Sequence, residues 1–289
     1  MQEVQFCGAR CAKLELGVYR LLVTLDFGPR IISVSRGDGP NLMKVYEDEL
    51  TSADPAIFNL YGGHRLWTSP EIPGFTDEPD NAPVEVNGTT FSAVGVSSGL
   101  RKSITISLAG DSIVLDHEVK NDSDKPVKIA PWALTVLKEG AVCVIPQEPF
   151  AAHSDSLLPV RPLILWSYTK MDDPRLRWGS KTATLRQDAG LGPIKFGAQI
   201  SSGAAAAWVD GFALLKRFES GDPAEYADFG CNFETFTRQD MLELETLGRL
   251  VNLAPGETAL HRETWTISQR DAPPHDDEAC AEWLHSLLA

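Results

Sequence analysis

The sequence predicts an all-β fold, and three observations carry that expectation. Runs rich in β-branched and aromatic residues are short. Turn signals built from Gly, Pro, Asn and Asp recur roughly every 8–12 residues, the spacing of a sandwich or barrel. Helical periodicity is scarce before the C-terminus. In order, residues 16–27 read as a strand, Gly28-Pro29 turns the chain, and Arg30 to Ser35 makes the next strand. Gly37 to Pro40 is a turn. Residues 70–83 are Pro-rich and acidic and read as a long loop, a length associated with function or mobility. Residues 84–96 form a hairpin about Asn87-Gly88, a dipeptide that accepts the positive φ of a tight turn. Residues 101–108 and 112–119 flank Ala109-Gly110-Asp111 as a second hairpin. Strands follow at 127–137, 141–145, 161–168, 181–186, 194–200, 204–209, 212–218, 231–237, 241–247 and 259–267, with a shorter loop at 221–228. After Pro273-Pro274, Asp277 to Leu288 places Cys280, Trp283, Leu284, Leu287 and Leu288 at helical spacing, a stripe suited to covering a sheet edge or end. No fixed-period repeat and no linker divides the chain, so residues 1–289 are expected to form a single domain.

Composition narrows the function. At 289 residues the chain is long enough for a substantial core. Its 40 acidic and 26 basic residues give a net charge of -14. That argues against nucleic acid or an anionic membrane as partner and suits a small neutral or weakly charged ligand. No apolar run approaches the length that spans a bilayer, and the N-terminus lacks the pattern of a signal peptide. The five cysteines (7, 11, 143, 231, 280) are odd in number and scattered. Reduced thiols in a cytoplasm fit them, with Cys143 and Cys231 as small core residues.

Two stretches concentrate chemistry. In Met241 to Leu247 the alternation puts Leu242 and Leu244 on one side and Glu243 and Glu245 on the other. Two carboxylates on one strand face repel. Either that face is solvated or it serves a function, and the apolar flanks argue for a central strand. Glu234, seven residues before, reaches Glu243 or Glu245 as a hairpin partner. The second stretch is Tyr61 to Glu71, where Gly62-Gly63 precede His64, Arg65, Trp67 and Glu71. In extended chain His64 and Leu66 point one way, Arg65 and Trp67 the other. The segment is either a surface turn with Trp67 in the core or a ligand rim, with Trp67 stacking on a sugar ring, Arg65 donating to hydroxyls and His64 passing a proton. Trp132 is either core or a second platform. One of Lys216 and Arg217 points inward at the end of an apolar strand. His117, His153 and His261 read as surface, edge or loop residues. No metal motif, Walker loop, dinucleotide fingerprint or Ser elbow is present, so neither metal nor cofactor is expected.

Together these pieces match a known pattern. Asp26-Phe27-Gly28-Pro29-Arg30-Ile31-Ile32-Ser33 with Gly39-Pro40-Asn41-Leu42, then Tyr61 to Glu71, then Cys231 to Glu245 with Leu253-x-Pro255-Gly256-Glu257 and Glu263-x-Trp265, resemble the galactose mutarotase-like (aldose 1-epimerase-like) superfamily. The resemblance implies a β-supersandwich with a short C-terminal helix and a sugar site in its concave face. It implies Glu245 as the base that takes the anomeric proton, with His64 as the acid beside it in a common hollow. Arg65, Glu71, Lys216, Glu234 and Glu243 would hold hydroxyls, and Trp67 or Trp132 would stack on the ring. One departure stands out: the family's mid-strand histidine is missing where this chain has Pro131-Trp132-Ala133-Leu134. A non-catalytic carbohydrate-binding protein, and a lyase or hydrolase using two carboxylates or a tyrosine (Tyr61 or Tyr168), are the alternatives.

Overall fold

The computed structural model describes residues 1–52 and 58–288. Two antiparallel sheets pack face to face. The first runs, neighbour to neighbour, Gln2–Phe6, Ala9–Leu16, Tyr19–Thr24, Arg30–Arg36, His64–Ser69, Val127–Leu137, Met241–Leu247, Phe233–Arg238, Ile194–Ala198 and Leu163–Leu165, with Val251–Leu253 also pairing Val127–Leu137. The second runs Leu176–Trp178, Thr182–Arg186, Val142–Pro146, Ala204–Val209, Phe212–Phe218, Thr258–Gln269, Ser112–Asn121, Leu100–Ala109, Thr90–Val94 and Glu85–Asn87. The chain crosses between the sheets repeatedly.

Period-two alternation builds the space between the sheets. Leu242 and Leu244, with Leu66, Leu137, Phe196 and Phe233 of the same sheet, form one continuous apolar cluster with Ile104, Leu115, Leu214, Trp265 and Ile267 of the second sheet. Thr258–Gln269 shows the pattern clearly: Ala259, His261, Glu263, Trp265 and Ile267 are buried, while Thr258, Leu260 and Arg262 are exposed. The C-terminal helix Asp277–Leu288 lies on the outer face of the second sheet. Cys280 and Leu284 pack on Val142, Val144, Ala204, Ala206 and Leu215, the alanines allowing close approach. Asp276 Oδ1 caps the helix by accepting from the Ala279 N–H at 2.9 Å.

Most anticipated elements are present, including both hairpins, where Gly88 and Gly110 take positive φ. The expected strand at 16–27 is instead the end of one strand and the whole of another, because Gly17 at φ 58 reverses the chain. The N-terminal hairpin Gln2–Phe6 with Ala9–Leu16 escapes the sequence reading; its outer strand is mostly exposed and shows little apolar alternation. Residues 161–168 supply only Leu163–Leu165. Cys143 and Cys231 are buried, and all five cysteines are free. Among the described residues no helix is long and apolar enough to cross a membrane.

Candidate functional site

The outer face of the first sheet carries the acidic constellation. Laterally paired residues in an antiparallel sheet share a face. The register Arg30–Arg65–Leu134–Glu245–Glu234–Gly197 therefore forms one row across six strands, and Val136–Glu243–Phe236–Lys195 forms the next. Met241–Leu247 is central, as its flanks suggested, and Glu234 stands directly opposite Glu245. Gly197 makes room for this pair: a Cβ there would lie 3.3 Å from Glu234 Cγ and 2.9 Å from Cys231 Sγ.

Lys195 holds the two glutamates together. Its Nζ donates to Glu234 Oε2 and Glu245 Oε2, both at 2.7 Å. It also sits 4.7 Å from the ring centroids of both Trp132 and Trp166. Trp132 Nε1 donates to the same Glu245 Oε2 at 3.0 Å. The other oxygen, Glu245 Oε1, is buried without a partner. Burial raises the Glu245 pKa to about 7; Lys195 opposes that rise and Glu234 adds to it. Burial also disfavours the Lys195 charge, but the two carboxylates outweigh it and hold its pKa above the ordinary lysine value. Nearby, Arg65 Nη2 donates to Glu243 Oε1 at 3.2 Å, while its Nε and Nη1 lack partners. The guanidinium lies 4.4 Å from the Trp67 ring centroid, and Trp67 meets Trp132 edge-on at 5.7 Å. Burial raises the Glu243 pKa, against the pull of Arg65.

A cavity of about 230 Å³ adjoins Trp67, lined also by Glu71, Ile72, Pro73 and Thr76. On the same side stands Tyr168, half-exposed. Burial raises its hydroxyl pKa to about 12, with Lys195, Glu245, Glu71 and Glu234 all close enough to act on it.

The expected pairing of Glu245 with His64 does not occur. His64 is laterally paired with Thr135, one residue out of step with Arg65, Leu134 and Glu245, so it points between the sheets. There His64 Nδ1 meets Thr135 Oγ1 at 2.8 Å and His64 Nε2 meets His117 Nε2 at 2.8 Å. Burial depresses the His64 pKa well below the histidine norm, so the ring is neutral and walled off from any ligand on the outer face. Lys216 is likewise corrected. It does point inward, but into this same interior, where Nζ donates to Glu263 Oε1 at 2.8 Å. His117 and His261, expected at surface or edge, are buried beside it.

This interior network closes on itself. His117 Nδ1 donates to the His261 carbonyl at 3.1 Å, leaving its Nε2 to accept from His64 Nε2–H. Thr246 Oγ1 lies 2.5 Å from Glu263 Oε1 and 2.7 Å from His261 Nε2, and Trp265 Nε1 donates to Glu263 Oε2 at 2.8 Å. Lys216, ahead of the histidines, keeps the Glu263 carboxylate ionised despite its burial. His64, His117 and Glu263 bring three ligand atoms within 4.8 Å of one another, a grouping that no sequence spacing announced. A tetrahedral zinc would spread the two imidazole nitrogens to about 3.3 Å, and the hydrogen bond between them would be lost.

Sequence reasoning also missed Lys195 and Trp166. The cue for Lys195 was available: a lone lysine between Ile194 and Phe196 in an apolar strand is the signal that drew attention to Lys216.

Comparison of the sequence with protein-family models and with curated proteins returns no match. Solved structures do resemble it. A protein from Synechocystis is 13% identical, with 93% of this chain and 100% of that one covered at a TM-score of 0.60. A putative aldose 1-epimerase from Escherichia coli is 12% identical, with 90% and 99% covered at 0.58. A galactose mutarotase-like protein from Lactobacillus casei is 11% identical, with 89% and 100% covered at 0.58. Strand order, two-sheet packing and these likenesses agree: the chain has the galactose mutarotase-like fold.

Proposed function

We propose that the outer face of the first sheet binds a carbohydrate at Glu245, and that recognition is its principal role. The observation that carries this reading is the state of the Glu245 carboxyl. One oxygen is fixed by Lys195 and Trp132, and the other is buried with no partner. A buried acceptor left open costs stability unless something fills it, and a sugar hydroxyl is a suitable donor. Arg65 Nε and Nη1 and Trp67 Nε1 are open donors on the same face. Trp67, Trp132 and Trp166 supply apolar ring faces, and Glu71 adds an acceptor at the adjoining cavity. The sugar would enter by displacing side chains at the Trp67 rim.

A second reading is mutarotation, favoured by the Glu245 pKa of about 7, which suits a general base at neutral pH. Its acid would be the Tyr168 phenol, since His64, His117 and His261 all lie between the sheets. Where the resemblance would put a mid-strand histidine, this chain has Pro131-Trp132-Ala133-Leu134, and the Trp132 indole donates a hydrogen bond to Glu245 but does not give up its proton.

Calorimetry and saturation-transfer NMR across a panel of aldoses test the main reading. Binding is expected to saturate, to weaken at least tenfold in Glu245→Gln, and to survive in His64→Ala. Absence of saturable binding across the panel refutes it. Polarimetry with freshly dissolved sugars separates the two readings, because recognition alone leaves the buffer rate unchanged.

A further inference from the structure

On the opposite side of the molecule, at the edge of the second sheet, three arginines converge on one cavity. Its volume is about 210 Å³, and its lining includes Arg175, Arg177, Thr184, Arg186 and His275 but no carboxylate. The register explains the convergence. Arg177 pairs with Thr184 and Arg186 with Val142, while the Arg186 N–H donates to the Arg175 carbonyl at 3.1 Å. Two-residue steps from 175 to 177 and from 184 to 186 keep all four side chains on the outer face. Pro273 to His275, entering the C-terminal helix, closes the remaining side.

The charges there are not balanced. Arg175 is 5% exposed and bonds Asp173 through Nε and Nη2, both at 2.9 Å, yet its Nη1 is buried with no partner. Arg177 Nε and Nη1 are also buried without partners, and among the described residues no acid pairs with Arg177 or Arg186. Arg186 Nη2 lies 3.1 Å from His275 Nε2, a contact that involves no carboxylate. Three guanidiniums against the one carboxylate of Asp173 leave two positive charges uncompensated. In a chain with 40 acidic residues this is not for want of acids. Buried guanidinium N–H groups left open are costly, and their fork geometry matches oxyanions.

We propose that this cavity is an anion site that takes a phosphate group, free or carried by a small metabolite. Donors from three separate backbone positions suit a tetrahedral oxyanion better than a planar carboxylate, which one fork satisfies. The volume accommodates a phosphate with a small organic body. The site is independent of the outer face of the first sheet and of any sugar bound there.

The test uses the full chain at constant ionic strength, titrated with inorganic phosphate, sulfate, acetate or chloride and followed by calorimetry and thermal melting. Phosphate is expected to bind saturably and raise the melting temperature more than chloride does. Arg186→Gln, whose side chain is exposed, and Arg177→Gln should each weaken phosphate binding at least tenfold. Arg262→Gln, at an exposed position elsewhere, should leave it unchanged. If Arg177→Gln fails to fold, Arg186→Gln alone decides. Phosphate acting no more strongly than chloride, Arg186→Gln binding phosphate as wild type does, or acetate binding as well as phosphate would each overturn the assignment.

Discussion

Replacing Glu245 with glutamine should flatten one part of the stability-versus-pH profile. In the folded protein burial lifts the Glu245 pKa to about 7, against an ordinary value of 4.5. Between those pH values the folded state holds a proton that the unfolded state releases, so stability falls as pH rises. The contribution is fully present below about pH 4.5 and is gone above about pH 7. The separation of the two values corresponds to about 3 kcal/mol. Buried Glu243, also raised, acts in the same direction. His261, held at about 3 by burial, acts in the opposite one, since the unfolded chain charges first and stability rises with pH. The raw profile is therefore a composite, and the difference between wild type and Glu245→Gln isolates the carboxyl. Glutamine resembles the protonated acid and leaves Lys195 its partner Glu234 at 2.7 Å. Urea unfolding at pH 5, 6, 7 and 8 is the assay. The variant should be close to wild type at pH 5 and gain relative to it by about 2–3 kcal/mol at pH 8. A constant difference across that range would refute the argument that burial, with Glu234 opposite, outweighs Lys195.

Other perturbations probe the remaining links. Lys195→Met removes the cation between two buried glutamates and should cost about 3–5 kcal/mol at pH 8, and less at pH 5, in the same urea assay. Lys216→Met strands Glu263 between the sheets and should cost a similar amount, about 3–5 kcal/mol, without altering sugar affinity. His64→Ala should lose about 2–4 kcal/mol of stability while sugar affinity measured by calorimetry holds, the reverse of what a catalytic acid predicts. Gly62→Ala should cost about 2–4 kcal/mol by thermal or urea unfolding, because its φ is +83 and a Cβ would lie 2.1 Å from the Lys44 carbonyl oxygen.

Much of both sheets was legible because strand alternation and turn chemistry are local. Glu243, Glu245 and Glu234 share a face in the structure as period two required, and the Asn87-Gly88 and Gly110 turns fall where positive φ was needed. What escaped is non-local. That Lys195 lies between Glu234 and Glu245 depends on Ile194–Ala198 pairing with Phe233–Arg238, thirty-odd residues away, and no local pattern specifies that partner. The Arg177 and Arg186 cavity depends in the same way on a three-residue strand and on the approach to the C-terminal helix.

The misplacement of His64 has a different origin, because the alternation did foretell it. Adjacent residues on a strand face opposite ways, so Arg65 and His64 could not both serve one site, and the register with Leu134 and Glu245 gives the outer face to Arg65. The consequence is a division of polar labour. Between the sheets, His64, His117, His261, Lys216 and Glu263 bond mainly to one another and to Thr135, Thr246 and Trp265; the histidine pKa values are depressed, and the unpartnered nitrogen is His261 Nδ1. Such a network fixes how the two sheets meet. On the outer face, Glu245, Arg65 and Trp67 each keep at least one polar atom open. Both layers are buried, so burial alone does not tell structure from function. Open hydrogen-bonding capacity is the better guide to test, and at the proposed sugar site it is held by Glu245, Arg65 and Trp67.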